Sequence, residues 1–145
     1  MPRAQRSANV VWEGNLARGH GTIQGDTGAL SDIEISQPTR FGDPDGHTSP
    51  EELIGAALAG CFAMSLSGVL TRAETPPDRL EARAVVTLDE VGEGHRITTI
   101  DLSVVGHVPG IDDETFQAAA RKAEQGCPVS NVLNAEIRLD ARLAT

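Results

Sequence analysis

The sequence predicts an α+β fold, on three observations. Segments with apolar residues at every second position occur near both ends and in the second half of the chain. One run, Leu53 to Leu70, extends 18 residues without a charge. Gly, Pro and Asp clusters separate these stretches in the order βββ-α-ββ-α-(α)-β. Alternating segments joined by short turns imply an antiparallel β-sheet, and the charge-free run implies a long central helix buried in a core.

Each element has its own signal. Val10 and Trp12 alternate with Val11 and Glu13; Gly19 to Gln24 and Leu30 to Ile35 follow, with Gly25-Asp26-Thr27-Gly28 as the turn between them. After the loop Phe41-Gly42-Asp43-Pro44-Asp45-Gly46-His47 comes a helix start: Ser49 as N-cap, Pro50 at the first helical position and Glu52 three residues after the cap. This helix should run to about Ala73, where Thr75-Pro76-Pro77 stops it. Ala82 to Val91 and His95 to His107 read as a hairpin closed at Gly92-Glu93-Gly94, with Ala84, Val86 and Leu88 on one face of the first strand and Ile100, Leu102 and Val104 on one face of the second. Asp112 caps a helix over Asp113 to Gln125, with Gly126 expected at C′; Cys127-Pro128 opens a short turn or helix. Glu136 to Leu143 closes the chain, with Ile137, Leu139, Ala141 and Leu143 inward.

The 145 residues fit one domain, 1–145, with residues 1–7 a flexible lead. A chain of this size buries roughly 68–70% of its unfolded surface and needs no disulfide framework. Twelve Lys and Arg against 21 Asp and Glu give a net charge of −9, which disfavours nucleic acid and anionic membrane surfaces. The start MPRAQR leads into Ser7-Ala8-Asn9 with no apolar stretch behind it, so the expected location is the cytoplasm. The charge-free run reaches the lower edge of a membrane span, but its Ala, Gly and Ser content favours the core of a soluble protein.

Two cysteines, at 61 and 127, are the only ones. Cys61 lies midway along the long helix, where the bland reading is a small core hydrophobe. Cys127 precedes Pro128 at a helix start, where backbone N–H groups and the dipole would favour a thiolate; its bland reading is a residue of a tight turn. Each follows a glycine, Gly60 or Gly126, which leaves little bulk beside the sulfur. His20, His47, His95 and His107 are scattered and give no zinc spacing, and Gly19-His20-Gly21-Thr22-Ile23-Gln24-Gly25 lacks dinucleotide-fingerprint spacing.

Thr39-Arg40-Phe41, the stretch Thr48-Ser49-Pro50-Glu51-Glu52-Leu53-Ile54-Gly55-Ala56-Ala57 leading to Cys61-Phe62, and Gly126-Cys127-Pro128-Val129-Ser130 together resemble the osmotically inducible protein C (OsmC) branch of the OsmC/Ohr hydroperoxide reductases. The resemblance runs from Trp12-Glu13-Gly14 to the last strand. It implies the OsmC/Ohr-like fold in an intertwined homodimer, and a thiol peroxidase that reduces organic hydroperoxides in stress defence. It implies no bound cofactor or metal, and an external dithiol reductant of dihydrolipoyl type.

Carried over by position, the resemblance makes Cys61 the peroxidatic cysteine, which becomes a sulfenic acid, and Cys127 the resolving one, which closes a disulfide with it. Arg40 matches the supporting arginine and Glu51 its glutamate partner, while Arg18 lies near the position that supplies the arginine in the Ohr branch. For Arg40 the bland reading is a solvated loop cation, and for Glu51 a first-turn acid complementing the helix dipole. This sequence has Ser49 where the family usually shows Asn, and Gly60 where it often shows Ala. The first change keeps the cap; the second loosens the helix beside Cys61.

Glu51 and Cys61 are separated by about 15 Å along one helix, so Glu51 supports a Cys61 only if a second chain brings its helix start close, as an isologous dimer would. Lowering a thiol pKa from about 8.5 to about 6 raises the thiolate about 30-fold, but a Brønsted slope near 0.5 returns about 18-fold as lost nucleophilicity. The arginine must therefore orient the peroxide and stabilise the departing alkoxide. Two non-enzymatic alternatives use the same residues: a thiol redox sensor read by a partner, and a small-ligand-binding dimer whose cysteines pack inertly.

Overall fold

A computed structural model describes residues 1–145, and its elements follow the predicted order with one short helix added. Two compact units divide the chain, Met1–Leu53 and Ile54–Thr145.

In the first unit, β1 (Ala8–Glu13), β2 (His20–Gly25) and β3 (Ile33–Ile35) form an antiparallel sheet in that order. The turn after β2 closes with Gly28 at φ 83° and the Gly25 N–H donating to the Leu30 carbonyl at 2.8 Å. β3 begins later than predicted because Asp32, at φ 53°, breaks the extended run. Ser7 is tied to Asp26, whose N–H donates to the Ser7 carbonyl at 3.0 Å. The added helix, α1 (Gln37–Phe41), occupies what alternation alone reads as loop.

Helix α2 (Pro50–Arg72) runs unbroken for 23 residues. Ser49 caps it as expected, its Oγ accepting the Glu52 N–H at 3.2 Å. The other half of the capping box is replaced: Glu52 Oε1 accepts the Thr48 hydroxyl at 2.6 Å. The helix is long and apolar enough to cross a membrane, yet it buries one stripe inside the chain, Leu58, Phe62, Leu66 and Leu70, every fourth residue. Burial is thus one-sided within the chain, and Met64, 78% exposed, stands outside the stripe.

In the second unit, β4 (Arg79–Val91) and β5 (Gly94–His107) form the predicted hairpin, closed at Gly92 with φ 61°. β6 (Glu136–Leu143) adds to β5 in parallel, so the antiparallel expectation is corrected for this strand and the strands form two sheets. The reason is the connection: α3 (Asp113–Gly126) and α4 (Pro128–Val132) carry the chain back before β6 begins, as a parallel pairing requires. A bulge between Thr87 and Leu88 shifts the hairpin register. Ile100, Leu102 and Val104 of β5, Phe116, Ala120 and Ala123 of α3 and Ala141 of β6 join the α2 stripe in one core. Each leucine in it contributes roughly 1.5–3 kcal/mol relative to exposure.

Gly126 does not take the C′ role expected of it. It is the last helical residue of α3, and the stop is made by Cys127, at φ −73° and ψ 116°. A residue before proline is pushed out of the helical region, which here does the work assigned to glycine.

Candidate active site

Two constellations hold the predicted site residues, one in each unit. In the first, α1 is built to present a cation. Ser36 caps it, accepting the Thr39 N–H at 3.2 Å, and the Gly42 N–H closes it on the Pro38 carbonyl at 2.8 Å. Arg40 lies in its last turn. Its Nε donates to Glu51 Oε1 at 3.0 Å and to Oε2 at 3.1 Å, while Nη2 also donates to Oε1. The guanidinium carbon sits 5.4 Å from the centre of the Phe41 ring, within cation–π range. Burial pushes the Glu51 carboxyl up, but the Arg40 hydrogen bonds and charge, a backbone N–H and Ser49 outweigh it, leaving its pKa below the ordinary 4.5.

Arg40 and Glu51, placed together by sequence, are therefore brought together in space. Arg18 makes no ion pair; its own N–H donates to Asn15 Oδ1 at 2.8 Å in the turn after β1. Glu51 is paired with Arg40 and not with Arg18.

The second constellation holds both cysteines as free thiols, Cys61 half-buried on α2 and Cys127 fully buried between α3 and α4. They are neighbours: Cys61 packs against the core that contains Cys127 and lies near enough to help raise the Cys127 pKa. Ser65, one turn beyond Cys61, donates to the Ala123 carbonyl at 3.0 Å and so joins α2 to the end of α3. The expected thiolate at Cys127 is corrected. Burial, followed by Cys61, pushes its pKa above the ordinary 9.0, although the N–H groups of Ser130 and Val129 act in the opposite sense.

Sequence reasoning missed three neighbours. Phe41 stacks on Arg40, and Ser130 Oγ donates to Glu124 Oε1 at 2.6 Å across the Cys127 turn. The adjacency in Thr-Arg-Phe was the only signal for the first; nothing in the spacing distinguished Glu124 from a solvated acid. No group of three or more His, Cys, Asp or Glu side chains is arranged to hold a metal ion.

A family model described as "OsmC-like protein" matches residues 42–142, a span that includes Glu51, Cys61 and Cys127 and begins just after Arg40. The chain is 48% identical over 138 residues to Peroxiredoxin OsmC of Escherichia coli K12, covering 95% of this chain and 96% of that protein. Among solved structures, the organic hydroperoxide resistance protein OhrB of Bacillus subtilis superposes with a TM-score of 0.73 at 28% identity, over 94% of this chain and 98% of that one. An organic hydroperoxide resistance protein OsmC from Legionella pneumophila superposes with a TM-score of 0.78 at 20% identity over 100% of both chains, a likeness of fold. By sequence and by fold, the chain belongs to the OsmC-like protein family.

Proposed function

We propose that this chain is a thiol peroxidase that reduces organic hydroperoxides to alcohols. The observation that carries the reading is the pairing of its only two cysteines, 61 and 127, as neighbouring free thiols, one half-buried and one fully buried. A peroxidatic sulfur must meet substrate, and a resolving sulfur is best kept from it. The E. coli relative's name, Peroxiredoxin OsmC, supports the same chemistry.

In the proposed cycle the Cys61 thiolate attacks the outer peroxide oxygen. The O–O bond breaks, the alkoxide takes a proton and leaves as alcohol, and Cys61 becomes a sulfenic acid. Cys127 then attacks the Cys61 sulfur, and its proton leaves with the hydroxyl as water as the disulfide forms. An external dithiol of dihydrolipoyl type returns both thiols while itself closing to a disulfide. Arg40 orients the peroxide and stabilises charge on the departing oxygen, and Glu51 holds the guanidinium in place. No bound cofactor enters this cycle, and the cytoplasm, kept reducing, is a fitting location.

The working form in this reading is a homodimer with composite sites. Apolar surface supports it in each unit: Val10, Val11 and Trp12 of β1 are exposed, and so is a groove along α2 lined by Ala63, Met64, Ser67, Gly68, Thr71 and Arg72. Since Glu51 and Cys61 lie ten residues apart on α2, the Arg40–Glu51 pair of one chain would serve Cys61 of the other. Co-expression of Cys61→Ser with Arg40→Ala chains tests this. The heterodimer then contains one site with both an intact Cys61 and an intact Arg40, and about half the wild-type turnover is expected. Inactivity of the isolated heterodimer would refute sharing between chains.

A further inference from the structure

The turn that carries Cys127 is held by more than its own backbone. α4 is only five residues long, too short to be stable alone. Its N-cap residue, Cys127, makes no side-chain cap hydrogen bond, so the sulfur is not tied down by the α4 backbone. Ser130 is buried, and its hydroxyl donates to Glu124 Oε1 at 2.6 Å, the length of a charge-assisted bond. The Glu124 carbonyl accepts the Cys127 N–H at 3.2 Å, so Glu124 grips the turn on both sides of the cysteine. Asn131 completes the enclosure, its N–H and Nδ2 each donating to the Cys127 carbonyl at 3.1 Å.

We infer that Ser130 and Glu124 are positioning residues for the resolving step, holding the Cys127 sulfur against Cys61 so that the sulfenic acid closes to the disulfide before a second peroxide reaches it. This rests on the proposed roles of the two cysteines. The step itself is the one written above: the Cys127 sulfur bonds to the Cys61 sulfur, the S–O bond breaks, and the thiol proton leaves in water. Neither Ser130 nor Glu124 touches the peroxide. Their loss should therefore leave formation of the sulfenic acid unchanged and slow only its disappearance.

The test separates the two steps by rapid mixing of reduced protein with one equivalent of an organic hydroperoxide, with quenched samples read by intact mass. Ser130→Ala should oxidise Cys61 at the wild-type rate but close the disulfide about tenfold more slowly, from loss of a hydrogen bond to a charged group. The peroxide concentration that over-oxidises half of the Cys61 should fall by the same factor. Ser130→Thr, which keeps the hydroxyl, should restore resolution; Glu124→Gln, which keeps an acceptor but removes its charge, should slow it about threefold. Wild-type disulfide formation in both Ser130→Ala and Glu124→Gln would overturn the inference while leaving the peroxidase reading intact. Failure of Cys127→Ser to accumulate any sulfenic acid would overturn both. If Ser130→Ala does not fold, Glu124→Gln and Ser130→Thr carry the comparison.

Discussion

Replacing Arg40 by lysine keeps the charge and removes the fork. Arg40 reaches both oxygens of Glu51 through Nε, at 3.0 and 3.1 Å, and adds Nη2 on Oε1. A lysine ammonium is a point donor and cannot reproduce that two-point grip. A hydrogen bond to a charged group contributes about 1.5–3 kcal/mol. The Arg40 side chain is 36% exposed, so water replaces part of it and a value below that range, about 1 kcal/mol, applies to stability. That shifts Tm by only about 2–4 °C in a chain of this size. Catalysis should suffer far more. In the proposed mechanism the planar group is preorganised around the departing oxygen, and removing one such donor typically costs about 10²–10³ in turnover. Arg40→Lys should thus lose about two orders of magnitude in kcat/KM in an assay of organic hydroperoxide consumption with a dithiol reductant, while remaining folded. Turnover within threefold of wild type would refute the reasoning.

Other outcomes follow from the same structure. Glu51 titrates below its ordinary 4.5 in the folded chain, so the stability it contributes is present above that unfolded value and is lost as pH falls through the lowered folded one. Urea unfolding of wild type against Glu51→Gln across acidic pH should show a constant gap above about pH 5.5 that closes below about pH 4.5; a gap independent of pH would contradict it. At Gly106, an added Cβ would lie 2.4 Å from the buried Phe116 ring, so Gly106→Ala should destabilise by about 1–3 kcal/mol. Gly126→Ala, with nothing within 4 Å, should unfold at or slightly above the wild-type midpoint in urea; a wild-type midpoint for Gly106→Ala as well would show that the Phe116 ring can yield.

Much of this fold was legible because local signals agreed with the tertiary outcome. Asp112 caps α3 as read, its Oδ1 accepting the Thr115 N–H at 2.8 Å, and Ile137, Leu139, Ala141 and Leu143 share the inner face of β6. The direction of β6 was not legible, because a period of two is the same in parallel and antiparallel strands. Nor was α1: five residues with a proline among them carry no periodicity, and only the Ser36 cap betrays a helix. The bulge beyond Thr87, where Thr98 is left without a partner on β4, has no signal in the alternation of either strand.

At the site, the resemblance to the OsmC branch singled out Cys61, Cys127, Arg40 and Glu51, where spacing alone left the cysteines ambiguous, and the structure brings them together in two pairs. The charge state at Cys127 was misjudged. The helix-start N–H groups are present, but complete burial of the sulfur outweighs them, and burial is a property of the whole core that no local motif reports. The Glu124–Ser130 bond has no local signal for a related reason, since a glutamate in the last turn of α3 looks solvated until α4 folds back onto it.

The most direct test of the peroxidase reading is intact mass with thiol titration after one equivalent of an organic hydroperoxide, with wild type and Cys127→Ser side by side. Wild type should lose the mass of two hydrogens and both thiols, while the variant should gain one oxygen at Cys61 and convert no further. Two unreacted thiols in wild type would contradict the account and leave a fold of this family whose cysteines only pack.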